Sequence, residues 1–248
     1  MVVNKMLLKD FSFPTPEENL LYDELLLDLA ERGEADEVLR FWEAREPFVV
    51  LGRTGKVEDD VHIDHCLKDR VPILRRSSGG GTVLQGKGCL NYTLILCKDR
   101  DPRLQKISSS YQYILEKVAA ALKTLHISTM FQPPSDLATG PEQKKFSGNA
   151  QKRGRQNILH HGTILYDFPL KLMGRYLKIP AVAPTYRRGR SHEDFLTNIS
   201  LNPAAFGKAI AHCFAVDREE YHLNAREKAG LMSLLTTRDI RLEPVHNS

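Results

Sequence analysis

Apolar residues recur along this chain at two spacings that alternate. Short apolar-rich runs near residues 2–8, 37–44, 48–52, 71–75, 91–97 and 161–166 have the length of strands. Stretches with apolar steps of three and four lie between them, so a mixed α/β fold is predicted. The first helix is marked from Thr15: Thr15 and Glu18 have capping-box spacing, Pro16 takes the first helical position, and Leu21, Leu25 and Leu29 share a face. A second helix follows Asp101-Pro102, with Ile107, Tyr111, Ile114, Val118, Leu122 and Leu125 at helical steps, which makes Tyr111 a packing residue. Further helices are predicted over 170–178, after Asn202-Pro203 with Phe206, Ile210 and Phe214 aligned, and from Asn224. No repeat, low-complexity tract or interdomain linker interrupts this pattern.

A chain of 248 residues with 42% apolar and 27% charged positions suits one globular domain, 1–248. No run reaches the roughly 18 apolar residues of a membrane span, and Lys5, Lys9 and Asp10 break the N-terminal apolar run of a signal peptide, so a cytoplasmic protein is expected. Cys66, Cys89, Cys97 and Cys213 form no CxxC pair and read as free thiols. The formal charge of +4 is local, in Lys144, Lys145, Lys152, Arg153 and Arg155 and in Arg187, Arg188 and Arg190. Such clusters sit in water or bind phosphates or an acidic protein; without an aromatic-basic reader, nucleic acid is not expected. His62 and His65 stand three apart on a predicted helix, but without further ligands at suitable spacing they read as a partly exposed helix and not a metal site.

Three segments carry candidate chemistry. Arg75-Arg76-Ser77-Ser78-Gly79-Gly80-Gly81 follows a strand-like VPIL; its glycines let a ligand approach backbone N–H groups, and its arginines offer forked donors to carboxylate or phosphate. It is neither a Walker loop nor a GxGxxG fingerprint. A flexible hairpin with incidental arginines competes with that reading. In Lys144–Gln151 a lysine stands just before a turn-prone SGNA, and could be a point charge in a pocket or an ordinary surface lysine. In His160-His161-Gly162-Thr163 two histidines enter an apolar strand, where alternation lets at most one face a given ligand.

Together and in this order, RRSSGGGTV, LNYTLIL, KFSGNAQ and HHGTIL, with GRTG at 52–55 ahead of them, resemble the biotin/lipoate protein ligase superfamily and specifically its lipoate-protein ligase branch, over roughly residues 15–215. The GRGRxGRxW-like signature of biotin ligases is missing. The resemblance implies a central mixed, mostly antiparallel sheet flanked by helices, similar to the catalytic core of class II aminoacyl-tRNA synthetases. It implies a two-step reaction in which lipoate or octanoate and ATP form an acyl-adenylate, and a lysine of a lipoyl domain then displaces AMP. Lys145 is the implied catalytic residue. Arg75, Arg76, Ser77, Ser78, Gly79, Gly80, Gly81, Asn91, Ser147, Gly148, His161, Gly162, Thr163, Arg190 and Ser191 are the implied adenylate-binding set, and Asp136, in a turn-like PPSDLA, is the implied Mg²⁺ ligand. The implied acceptors are the E2 component of a 2-oxoacid dehydrogenase, the glycine cleavage H protein or a similar lipoyl protein. The accessory domain of longer bacterial ligases is missing, so a separate small subunit is a possible partner.

This chain departs from the family's pattern at Gln85-Gly86 and Gly88-Cys89, where many ligases have His-Asp and Gly-Asn, and in the basic loop 183–198. Octanoyltransferases of the superfamily use a cysteine, which in the most similar branch falls about where SDLA stands here; no cysteine occurs between Cys97 and Cys213. An ATP-dependent ligase is therefore expected over an ATP-independent acyltransferase or a non-catalytic acyl-binding homologue. Cys89 reads as a small neutral substitution, since nothing in the sequence places a base beside it.

Overall fold

The computed structural model describes residues 5–242; positions 2–4 of the first predicted strand lie outside the described residues. In chain order the elements are β1 (Met6–Asp10), α1 (Pro16–Glu31), β2 (Glu37–Trp42), β3 (Phe48–Leu51), α2 (Val57–Asp60), α3 (Ile63–Asp69), β4 (Ile73–Arg75), β5 (Val83–Gln85), β6 (Cys89–Cys97), α4 (Ile107–Thr124), β7 (Met130–Gln132), β8 (Asp136–Thr139), β9 (Lys144–Arg153), β10 (Asn157–Leu165), α5 (Lys171–Tyr176), α6 (His192–Phe195), α7 (Pro203–Cys213), β11 (Arg218–Glu220) and α8 (Ala225–Thr237). An eight-stranded sheet runs β11-β1-β2-β6-β10-β9-β8-β7, and a second sheet runs β4-β3-β5. In the large sheet β1 pairs parallel with β2 and β11, and the other neighbours are antiparallel. The mixed, mostly antiparallel sheet flanked by helices is as expected.

Strand alternation sends the large sheet's two faces to different partners. Leu39, Phe41, Leu94, Leu96, Ile158 and Ile164 pack under α4 and α7, which contribute Ile114, Val118, Leu122, Phe206 and Ile210. The other face meets α1 and α8 through Val38, Ile95 and Leu159, and meets the small sheet through Cys89, Leu165 and Ala138. α1 begins as predicted: the Thr15 hydroxyl accepts from Glu18 N, and the Glu18 carboxylate accepts from Thr15 N at 3.0 Å. The Asn224 box on α8 is built the same way with Glu227.

Two expectations need correction. Ile107, placed on the apolar face of α4, is 62% exposed, because the chain after Asp101-Pro102 first makes a 3₁₀ turn, Pro102–Gln105, and α4 starts only at Ile107 itself. SGNA is not a turn. It lies mid-strand in β9, and Asp136 opens β8 beside it; β9 is polar because one face borders the site, and its pairing with β10 and β8 outweighs local turn preference.

Candidate active site

The glycine loop spans residues 76–82, between β4 and β5 of the small sheet. Arginine side chains brace it from inside. Arg76 is buried, with Nε donating to Ser78 Oγ (2.9 Å), Nη1 to Val50 O (3.3 Å), and Nη2 to Gly79 O (2.7 Å) and Gly81 O (2.8 Å). Arg75 Nη1 donates to the carbonyls of Gly52, Arg53 and Gly55 at 3.0, 3.2 and 2.8 Å, tying the GRTG turn to the loop. A Cβ on Gly52 would lie 2.0 Å from Gly80 O, and Gly80 has φ +87°, so this close approach requires both glycines. Every hydrogen bond of Arg76 ends on a neutral oxygen. Burial lowers its pKa to about 10, which leaves it charged at neutral pH: a buried cation with no carboxylate is electrostatically suited to an anion.

The loop packs onto the large sheet where β9 and β10 pair. Ser78 Oγ lies 2.7 Å from His161 Nε2, and Gly80 sits over Ala150, the register partner of His161. Burial first, then the neighbouring Arg76 and His160, hold His161 well below the usual histidine range, so the ring is neutral. Asn91 and Thr163 are register partners on the face that carries His161, although the Asn91 amide is turned back to Cys89 O at 3.3 Å. Ser77 lies partly buried in the loop.

Lys145 lies further along that face. Its Nζ is 2.8 Å from Asp136 Oδ1, and Asp136 Oδ2 accepts from the Tyr186 hydroxyl at 2.8 Å. Gly148 makes room: a Cβ there would lie 2.9 Å from Lys145 Nζ. A bulge between β8 and β9 turns Lys145 toward Ala138 and away from the α4 side.

The structure does not bring the whole predicted set together. Ser147 accepts from Asn149 Nδ2 (3.3 Å) on the α4 side, and Gly162 lies under the Tyr92 ring, where a Cβ would be 2.6 Å from Tyr92 Cζ and 1.9 Å from Asn149 Oδ1. His160 points the same way, 3.1 Å from Gln151 Nε2 and stacked on Tyr92; burial lowers its pKa to about 3. Arg190 donates to Arg187 O, Glu142 O and Tyr186 O, and Ser191 caps α6 by accepting from Asp194 N at 3.1 Å, so both brace their own loop. Tyr186 was missed: one tyrosine among arginines carries no sequence signal for what it touches. Asp136, the expected magnesium ligand, has Lys145 Nζ and the Tyr186 hydroxyl on its two oxygens, and among the described residues no three His, Cys, Asp or Glu side chains are grouped to hold a metal.

Cys89 is buried on the small-sheet side, its Sγ 3.2 Å from Gln85 Oε1, and burial chiefly, with Glu43 adding to it, pushes its thiol well above the ordinary range. It is a packed thiol, not an activated one. His62 and His65 have ring centroids 5.6 Å apart, with His65 Nδ1 bonded to Arg175 O.

Fold and site define an α/β domain that holds a glycine loop with a buried arginine on the same sheet face as a lysine–carboxylate pair. The chain belongs to the lipoyl protein ligase A/B catalytic domain family, whose model matches residues 15–214. It is 28% identical over 192 residues to a probable lipoate-protein ligase A of Mycoplasma pneumoniae, covering 75% of this chain and 55% of that protein. It is 26% identical over 256 residues to the octanoyltransferase LipM of Geobacillus kaustophilus, covering 91% and 92%. The chain thus spans about half the length of the first ligase relatives it matches. Among solved structures, a bi-partite lipoate protein ligase described with its E2 lipoyl domain from Thermoplasma acidophilum shares the fold, with a TM-score of 0.78, 22% identity and coverage of 95% and 92%. No helix among the described residues is long and apolar enough to cross a membrane.

Proposed function

We propose that the protein is a lipoate-protein ligase that activates lipoate or octanoate with ATP and transfers the acyl group to the acceptor lysine of a lipoyl domain. One observation carries the choice of ATP: the group facing Lys145 across β8 and β9 is the Asp136 carboxylate, and Cys89, hydrogen-bonded to Gln85 of β5, is packed and protonated. A thioester route lacks its nucleophile. In adenylation a carboxylate oxygen of the acid attacks the α-phosphorus and pyrophosphate leaves, with negative charge gathered on phosphoryl oxygens that need cations and fixed donors. Arg76 holds the loop in shape and supplies buried positive charge. The Lys145 ammonium, held by Asp136 through one N–H and turned to the phosphoryl and carbonyl oxygens with the others, supplies the second. The acceptor lysine's amine then attacks the acyl carbon and AMP leaves.

The test is exchange of labelled pyrophosphate into ATP with lipoate and Mg²⁺, followed by mass analysis of a lipoyl-domain acceptor. Exchange and an acyl-modified acceptor are expected. Neither appearing, even with a candidate accessory chain added, sinks the reading. The near full-length similarity to an octanoyltransferase favours one alternative, acyl transfer from a carrier protein without ATP; activity from an acyl-carrier donor that Cys89→Ser abolishes identifies it.

A further inference from the structure

We infer that the segment from Pro184 to Thr197 sets the position of Lys145 at two points, and that Tyr186 is the positioning residue through which it acts on the ammonium head. The inference rests on the ligase reading above and deepens it. At the backbone, Thr197 N donates to Lys145 O at 2.9 Å, and Leu196 forms an isolated parallel β-bridge with Lys145. At the side chain, the Tyr186 hydroxyl takes one oxygen of Asp136, leaving the other directed at Lys145 Nζ, with both distances 2.8 Å. One loop therefore holds the same residue by its main chain and, through a carboxylate, by its charge.

The segment is itself stiffened around Phe195. The Tyr186 ring packs against it at 5.1 Å between centroids, and the guanidiniums of Arg187 and Arg190 lie over it at 4.9 and 5.2 Å. Arg190 also closes the turn by donating to Tyr186 O at 2.7 Å. Burial, with Asp136 beside it, holds the Tyr186 pKa far above its ordinary value, so the hydroxyl keeps its proton and remains a donor to Asp136 at any working pH. Without that donor the carboxylate is free to rotate and the ammonium loses its fixed direction, while the glycine loop, braced by Arg75 and Arg76, keeps its shape. The effect falls on the chemical step and not on ligand capture.

The experiment measures lipoate- and ATP-dependent pyrophosphate exchange for the whole chain, its Tyr186→Phe and Asp136→Asn variants and the double variant. Tyr186→Phe is expected to lower kcat roughly tenfold with KM for lipoate and ATP within about twofold, and to add nothing further once Asp136 is Asn. A Tyr186→Phe kcat within about twofold of the parent overturns the inference, as does a raised KM at unchanged kcat, which makes Tyr186 a ligand contact, or two losses that multiply. Should Tyr186→Phe fail to fold, Asp136→Asn decides, since it removes the same link from the other side; a parental kcat there is equally fatal. A parent chain with no exchange at all brings down the ligase reading and this inference with it, and is distinct from the other outcomes.

Discussion

Arg76 and Lys145 are two cations of the site that are held in opposite ways. Arg76 spends its donors on a side-chain hydroxyl and three backbone carbonyls, so its charge is fixed in place and the loop depends on it. Lys145 has Asp136 as its charged partner and a side chain still 25% exposed, so its remaining donors are open to a ligand. The first is part of the fold and carries charge as a consequence. The second is free to do chemistry because the fold does not need it.

Replacing Lys145 tests that difference most strongly. Lys145→Ala should lower pyrophosphate exchange by about 10²–10³-fold or more while the chain stays folded, because the ammonium is partly exposed and the Asp136 carboxylate keeps the Tyr186 hydroxyl as a donor. An active Lys145→Ala enzyme removes the lysine from the mechanism. Arg76→Met should instead cost stability as well as activity: it leaves the carbonyls of Val50, Gly79 and Gly81 without their donor, about 2–4 kcal/mol by denaturant melt. If Arg76→Met melts like the parent, the guanidinium does not organise the loop.

That contrast was only half legible in the sequence. The RRSSGGG and HHGT runs announce themselves because glycine triplets and paired histidines at a strand are uncommon, and strand alternation separates His160 from His161 without coordinates. What each arginine touches could not be read, since three of the four contacts of Arg76 are backbone carbonyls and these leave no trace in residue identity. β9 was hidden for a related reason. KKFSGNAQKR looks like a solvated turn, yet only Phe146 needs to be large and apolar, because Gly148 yields space to Lys145 and Ala150 to the loop. Tyr186 reaches Asp136 across 50 residues of chain, a distance over which local pattern has nothing to say.

The two histidines extend the comparison to pH. Both are held neutral, His160 fully buried and His161 partly so, with pKa values below the ordinary 6.5, so between that value and their lowered native values the unfolded chain binds protons that the folded one refuses. Stability they contribute is present above about pH 6.5 and is lost as pH falls, by up to about 1.4 kcal/mol per pH unit for each ring. Denaturant melts from pH 7.5 to 4.5, run at about half-unit steps, should show this slope, and His160→Gln and His161→Gln should each flatten it. A parent whose stability is level down to about pH 5 contradicts the lowered pKa values of both rings.

The smallest expected effect bears on the missing thiol. Cys89→Ser keeps a hydroxyl within reach of Gln85 Oε1 and exchanges a buried sulfur for oxygen, which should cost on the order of 1 kcal/mol and leave ATP-dependent exchange within about twofold. With Lys145 and Arg76 as the working cations, nothing in the site asks for a nucleophile at position 89. An acyl-carrier assay run on the same variant sharpens this, because a transferase would lose its covalent intermediate and with it the whole rate, whereas a ligase has no such intermediate to lose.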